Sequence, residues 1–277
     1  MTEPASAATT PDDGSHHLRD LPVADPLDPP IVLIPGIDGT ALLFYRQIPA
    51  LARRFDVVAF PLPPTPPTHT TMATLAADLA TLIREVSDQG AILLGESFGG
   101  ALALTTALAY PELARGLVIV NSFPYVEKRI SLRLAPWLLK ATRWDAMPLV
   151  RRLTSSRLHT SHTLPEDLRE FRERSKAIDR YGYIRRLEIL QTYDLRRHLH
   201  EVTMPTLFLA GDEDHLVESV GWAEFMHARV PDSQVRILEG YGHICLINHD
   251  LDLCDHVGPW WEQARHAQPP EIEPDRY

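Results

Sequence analysis

Cysteine is scarce in this chain: Cys245 and Cys254 are the only two among 277 residues. Two thiols do not make a disulfide framework, so an apolar core must hold the fold, and a reducing, cytoplasmic setting is expected. Long apolar runs are missing too. None approaches the roughly 18 residues of a membrane-spanning helix, so no integral membrane segment is expected. The opening stretch, MTEPASAATTPDDGSHHLRD, has neither the basic start nor the apolar centre of a secretory signal. Positive charge is in short supply: 27 Lys and Arg stand against 37 Asp and Glu, a net −10. That balance argues against nucleic acid as the main partner. The histidine pairs His159/His162 and His198/His200 lack acidic or cysteine neighbours in a metal-ligating spacing, so no metal is expected. No internal repeat and no long low-complexity tract is present.

What the chain does have is a globular composition, 44% hydrophobic and 23% charged, enough for a sizeable core in one large α/β domain or two small ones. The charge is uneven. Residues 124–200 carry 17 Lys and Arg against 9 Asp and Glu, a basic segment inside an acidic protein.

Short apolar runs recur along the chain: IVLIPG at 31–36, ending abruptly at Pro35-Gly36, FDVVAF at 55–60, AILL at 91–94, GLVIVN at 116–121, TLFLAG at 206–211 and QVRIL at 234–238. Such runs fit strands covered by helices on both faces, as in a parallel sheet. Helical patterns alternate with them. In TMATLAADLATLIREVSDQG, Leu75, Leu79, Leu82 and Val86 share a face, Thr71 or Thr74 caps the start and Gly90 stops it. Further helices are expected at 100–110, around 217–229 and at about 246–264. PLPPTPPTHT, with five prolines in its first seven residues, reads as a stiff surface connection. Between the fourth and fifth strands lie some 80 residues of helical pattern cut by Pro136, Pro148 and Pro165. The expected fold class is therefore α/β: a central, mostly parallel sheet of about six or more strands flanked by helices. The domain reading is a flexible leader at 1–28, a core of 29–123 and 201–266, a helical insertion at 124–200 and a loose tail at 267–277.

One turn stands out. AILLGESFGG places Ser97 between a strand and a helix, in Gly95-Glu96-Ser97-Phe98-Gly99. A sharp strand-to-helix turn holds its serine in strained backbone angles, and side chains at the flanking glycine positions would clash with the adjacent strand or helix. The hydroxyl then stands at the C-terminal edge of the sheet, near a helix N-terminus that favours developing negative charge. The bland alternative is a structural glycine turn.

A serine needs a base, and the base an orienting acid. On such a sheet the order is Ser, acid, His, each just past a strand. FLAGDEDHLV offers Asp212, Glu213 and Asp214; Asp214 is favoured and Asp212 is the fallback. GYGH offers His243, with His215, His249 and His256 competing on composition only. Two backbone N–H donors are needed for an oxyanion, and those of Phe98 and Ile37 are the candidates. Asp38 and Glu96 are out of place beside developing negative charge, unless Asp38 points away or binds a substrate hydroxyl.

Jointly, LIPGIDGTALLF, LLGESFGG, ALAYPELARGLVIVN, LAGDEDHLV and GYGHICLINH resemble the α/β-hydrolase family over roughly residues 30–265. PGIDGT with GESFGG is similar to a branch that includes plastid phytyl-ester acyltransferases and related bacterial esterases. The resemblance implies a lid inserted after the fourth parallel strand and a cofactor-free Ser97–Asp214–His243 triad. Pro35 departs from the histidine many members carry before the oxyanion glycine, and the usual first antiparallel strands are not evident. Within the lid, Trp137 and Trp144 are candidates to line an acyl pocket, or are simply lid core. Arg151-Arg152, Arg185-Arg186 and Arg196-Arg197 either meet an anionic group or form a solvated face. The expected partner is a small-molecule ester or thioester with an apolar acyl part. Hydrolysis through an acyl-enzyme on Ser97 leads; acyl transfer to an alcohol, carbon–carbon bond hydrolysis and a catalytically silent binding protein are the alternatives. The sequence does not indicate an oligomeric state.

Overall fold

A computed structural model describes residues 28–126, 160 and 162–267. Six strands form one sheet: β1 (Ile31–Ile34), β2 (Val57–Ala59), β3 (Ala91–Glu96), β4 (Ala114–Val120), β5 (Thr206–Gly211) and β6 (Ser233–Leu238). Their order across the sheet is β2-β1-β3-β4-β5-β6, and every pairing is parallel. The apolar runs of the inner strands β1, β3, β4 and β5 are continuous because both their faces are covered, whereas the edge strands β2 and β6 are only partly buried. In β1, Val32 and Ile34 join one core layer while Ile31 and Leu33 join the other. All four are fully buried, and each such side chain contributes about 1.5–3 kcal/mol relative to exposure.

Helix α1 (Gln47–Leu51) precedes β2, and α2 (Met72–Val86) and α3 (Phe98–Ala109) flank β3. Thr71 and Thr74 cap α2 reciprocally, each backbone N–H meeting the other's hydroxyl, as in a capping box. The buried stripe of α2 is Leu75, Ala76, Leu79, Ala80 and Ile83, with Leu82 only partly buried. The helix ends at Ser87 rather than Gly90; Gly90 turns the chain at φ +84°. After β4 come α4 (Pro165–Arg174) and α5 (Arg180–Leu190), then α6 (Ser219–His227) after β5 and α7 (Cys254–Ala267) after β6. The core layer around α2 and α3 covers one face of the sheet, and the layer containing Leu51, Trp260 and Trp261 covers the other.

The register sets where the loops meet. Ile34 sits beside Gly95, Glu96 beside Val120, and Gly211 beside Leu238. The loops after β1, β3, β5 and β6 therefore leave from one edge, the C-terminal edge where open α/β sheets hold ligands. Among the described residues no strand lies beyond β2, so the three-residue β2 is an edge.

The segment between β4 and β5 leaves and returns at one place. Tyr125 bridges Asp194 in antiparallel fashion, and the Leu195 N–H donates to the Pro124 carbonyl at 2.8 Å. The described part of this segment is helical and is fastened to the core. Asp167, fully buried in α4, pairs with Arg46. The Thr160 hydroxyl donates to the Gly240 carbonyl at 2.6 Å, and that of Thr163 to Asn248 Oδ1 at 3.0 Å.

Candidate active site

Strand β3 runs straight into α3 through Ser97, which has φ +53° and ψ −115°. That backbone region is costly for a residue with a side chain, by about 1–3 kcal/mol. The surroundings enforce it. A Cβ on Gly99 would lie 2.0 Å from the Ile34 carbonyl oxygen, and one on Gly95 would lie 2.3 Å from that of Gly99. Helix and strands approach so closely that only glycine fits on either side of the serine. The Ser122 hydroxyl fastens the turn from β4's end, donating to the Ser97 carbonyl at 2.6 Å.

The three side chains singled out in the sequence lie in one hydrogen-bonded row. His243 Nε2 is 3.1 Å from Ser97 Oγ, and His243 Nδ1 is 2.7 Å from Asp214 Oδ2. All three are buried. Asp214 Oδ1 also accepts the N–H groups of Leu216 at 2.9 Å and Val217 at 3.2 Å, and Oδ2 accepts the Ser219 hydroxyl. Burial opposes ionisation of Asp214, but these hydrogen bonds and the His243 charge outweigh it and hold the carboxyl below the ordinary range. Burial likewise pulls the His243 pKa down. The hydrogen bond and charge of Asp214, with the charge of Glu96, outweigh it and hold the imidazole above its ordinary value. Asp212 does something else: its Oδ1 accepts the Gly240 N–H at 2.6 Å, tying down the loop that carries His243. His249 faces Asp167; the imidazole that reaches Ser97 is His243.

The turn after β1 closes through the Gly39 N–H, which donates to the Gly36 carbonyl at 3.0 Å. Asp38 folds back inside it. Its Oδ2 accepts both the N–H and the hydroxyl of Thr40, at 2.9 and 2.7 Å. The N–H of Phe98 opens α3 and, like the first N–H groups of any helix, has no intrahelical acceptor. Glu96 is buried between the two turns, with Oε1 3.8 Å from His243 Nε2. Its other oxygen would lie 2.2 Å from a Cβ on Gly36. Burial, with the charges of Asp38 and Asp214 adding and that of His243 opposing, pushes the Glu96 pKa up to about 8. Burial also raises that of Asp38, against its Thr40 hydrogen bonds and Arg186. Burial thus disfavours the charged form of both carboxyls, most strongly for Glu96.

Sequence reasoning passed over one residue and misread another. Asn121 ends β4 at φ +46°. Its amide donates to the carbonyls of Gly242 and His243 at 3.0 and 2.9 Å, while its Oδ1 accepts the Gly211 N–H at 2.8 Å. One buried amide thus joins the end of β5, just before Asp214, to the loop that carries His243. The signal available was an asparagine closing an otherwise apolar strand. The second residue is Arg186, read as part of an anion site or a solvated face. It is neither: it is 2% exposed and bonds to backbone carbonyls of the β1 turn. Trp137 and Trp144 lie outside the described residues. Cys245 is fully buried against Asn121, and burial, with the charges of Glu96 and Asp214, raises its thiol pKa well above the ordinary value. Among the described residues, no group of three His, Cys, Asp or Glu side chains is arranged to hold a metal ion, and no helix is long and apolar enough to cross a membrane.

Comparison with known proteins places this geometry in context. A family model for the alpha/beta hydrolase fold matches residues 29–250. The chain is 30% identical over 255 residues to the "Putative carbamate hydrolase RutD" of Serratia proteamaculans, covering 88% of this chain and 94% of that one. It is 26% identical to the poly(3-hydroxyalkanoate) depolymerase of Ectopseudomonas oleovorans, covering 85% of each. Among solved structures, a thermophilic esterase from Thermogutta terrifontis superposes with a TM-score of 0.76 at 20% identity, over 85% of this chain and 90% of that one.

Proposed function

The chain belongs to the α/β-hydrolase fold family, and on that premise we propose that it is a serine hydrolase cleaving a carboxylic ester or thioester through an acyl-enzyme on Ser97. The observation that carries this reading is the unbroken row Ser97–His243–Asp214, with the serine held in a strained turn. His243 Nε2 takes the Ser97 proton as Oγ attacks the acyl carbon. Asp214 keeps the Nδ1–H oriented and stabilises the imidazolium. The N–H groups of Ile37 and Phe98 receive the oxyanion. The imidazolium then gives its proton to the departing alcohol or thiol, and the acyl group stays on Ser97. A water, deprotonated by His243, repeats the attack and releases the acid. The chemistry calls on no group beyond these side chains and backbone donors.

Relatives named for carbamate and polyester cleavage support bond breaking at an acyl carbon over carbon–carbon hydrolysis. Ile37 packs against the same apolar layer as Phe98, which suits an apolar acyl part. The segment 124–200 acts as a lid in this reading: its ends meet beside β4, and its described part is bonded to the loops after β1 and β6.

The test is turnover of p-nitrophenyl esters of graded chain length, together with labelling by a fluorophosphonate. Measurable hydrolysis with a chain-length preference is expected, along with one label on Ser97. Ser97→Ala abolishes both, a loss of about 10⁴-fold or more. Background rates at every length, with no label on folded protein, would refute the proposal.

A further inference from the structure

The turn after β1 is pinned by a side chain from far along the chain. Arg186, in α5, donates from Nε to the Ile37 carbonyl at 2.8 Å, from Nη2 to the Asp38 carbonyl at 3.1 Å and from Nη1 to the Pro63 carbonyl at 3.1 Å. Its guanidinium fills a slot made by two glycines. A Cβ on Gly39 would lie 2.5 Å from its central carbon, and one on Gly182 would lie 3.0 Å from its nitrogens. Three backbone carbonyls, with no carboxylate in the hydrogen-bonded set, are an unusual environment for a buried arginine.

The consequence follows from peptide planarity. Each carbonyl shares a rigid plane with the next residue's N–H. The Gly36–Ile37 plane is held by the Gly39 N–H, the Ile37–Asp38 plane by Arg186 Nε and the Asp38–Gly39 plane by Arg186 Nη2. The Gly39 carbonyl in turn accepts the Leu62 N–H at 2.9 Å. Turning the Ile37 N–H breaks the bond from the Gly39 N–H to the Gly36 carbonyl, and that donor belongs to the Asp38–Gly39 plane that Arg186 Nη2 holds. The planar fork reaches adjacent carbonyls at once, which a lysine ammonium on its flexible stem does not reproduce.

We propose that Arg186 is a positioning residue for the oxyanion hole: it fixes the β1 turn so that the Ile37 N–H is aimed at the tetrahedral intermediate, and it lends that turn a fixed positive charge. The inference rests on the serine-hydrolase reading of this site. It also makes oxyanion stabilisation dependent on the inserted segment, because the arginine comes from α5 and the N–H from the core.

The test compares wild type with Arg186→Lys and Arg186→Ala in four measurements: thermal melting, steady-state kinetics on a p-nitrophenyl ester, affinity for a matching trifluoromethyl ketone, and the acid limb of the pH–rate profile. The expected result is a loss of kcat of about 10²–10³-fold with KM within about threefold. Affinity for the ketone, which forms a tetrahedral adduct, falls in proportion to kcat/KM. The acid-limb midpoint, which reports His243, does not move. Lysine does not restore activity, and guanidinium at tens of millimolar partly restores Arg186→Ala. A structural staple alone would instead lower melting temperature and active fraction while the folded fraction kept wild-type kcat; that outcome overturns the inference, as does failure of both variants to fold. A wild type with neither turnover nor fluorophosphonate labelling would refute the hydrolase reading itself, a result distinct from active wild type with unchanged arginine variants.

Discussion

Glu96 is the residue whose chemistry depends most on its surroundings. A carboxyl next to the nucleophile in sequence, and 3.8 Å from the imidazole, would repel an oxyanion if it were ionised. With its pKa pushed up to about 8, it is largely neutral at pH 7. In the proposed mechanism, activity rises with pH as His243 loses its proton and falls as Glu96 ionises beside the β1 turn. Glu96→Gln removes the alkaline fall while the acid limb remains; a pH profile of kcat/KM from 5 to 10 checks this. The same group affects stability. Unfolded, it titrates near 4.5; folded, it holds its proton to higher pH, so the folded state binds more protons between the two values. Its contribution is full below the unfolded pKa and is lost as pH rises through about 8. The melting temperature of wild type should therefore fall relative to Glu96→Gln between pH 5 and 9. A difference that stays constant would mean the carboxyl is already charged at neutral pH.

Among the elements, those that follow from periodicity were legible and those that follow from tertiary bonding were not. The four inner strands announce themselves as short apolar runs because both their faces are buried, the partly buried edge strands β2 and β6 less sharply, and the turn at Ser97 announces itself because only glycine fits beside it. The C-terminal helix is different. Apolar pattern extends the expected helix back to about residue 246, whereas α7 begins at Cys254. The reason is Gln47. Its fully buried side chain donates to the carbonyls of Leu246 and Leu251 at 2.9 and 3.0 Å and accepts the Leu253 N–H at 3.0 Å. These bonds satisfy the backbone in an irregular path, so helix formation there gains nothing. A partner some 200 positions earlier leaves no trace in local pattern, and α1, which carries it, was itself too short to be read. Arg186 and Asn121 were obscure for the same reason: their partners are backbone atoms of distant loops. Gln47→Ala strips three buried backbone groups of their partner, each at about 1–3 kcal/mol. A net loss of about 2–4 kcal/mol is expected in urea unfolding, with faster amide exchange across 246–253.

At the scale of the molecule, the described chain opens on an anchor. Asp28, whose side chain is 1% exposed, accepts Arg54 Nε at 2.8 Å, Trp261 Nε1 at 3.0 Å and Arg265 Nη1 at 3.2 Å. It thereby joins the approach to β1 with α7, at opposite ends of the sequence. Asp28→Ala leaves Arg54 and Arg265 with the half-exposed Glu262 as the one carboxylate they share among the described residues. Because both are a quarter or so exposed, solvent screening tempers the cost to about 1–3 kcal/mol. Asp28→Asn, which keeps an acceptor, loses less; the order of urea midpoints at constant slope checks both.

The serine and the imidazole that touch are 146 positions apart, with β4, β5 and β6 made between them. A ribosome adding about 5–20 residues per second therefore finishes the serine's strand roughly 7–30 s before it supplies His243. Throughout that interval the nascent chain carries an inert alcohol, since the imidazole arrives only with the last strand at the far edge of the sheet. In the proposed mechanism acyl chemistry is thus withheld from every unfinished copy, and the onset of turnover in a translation reaction times the docking of that edge.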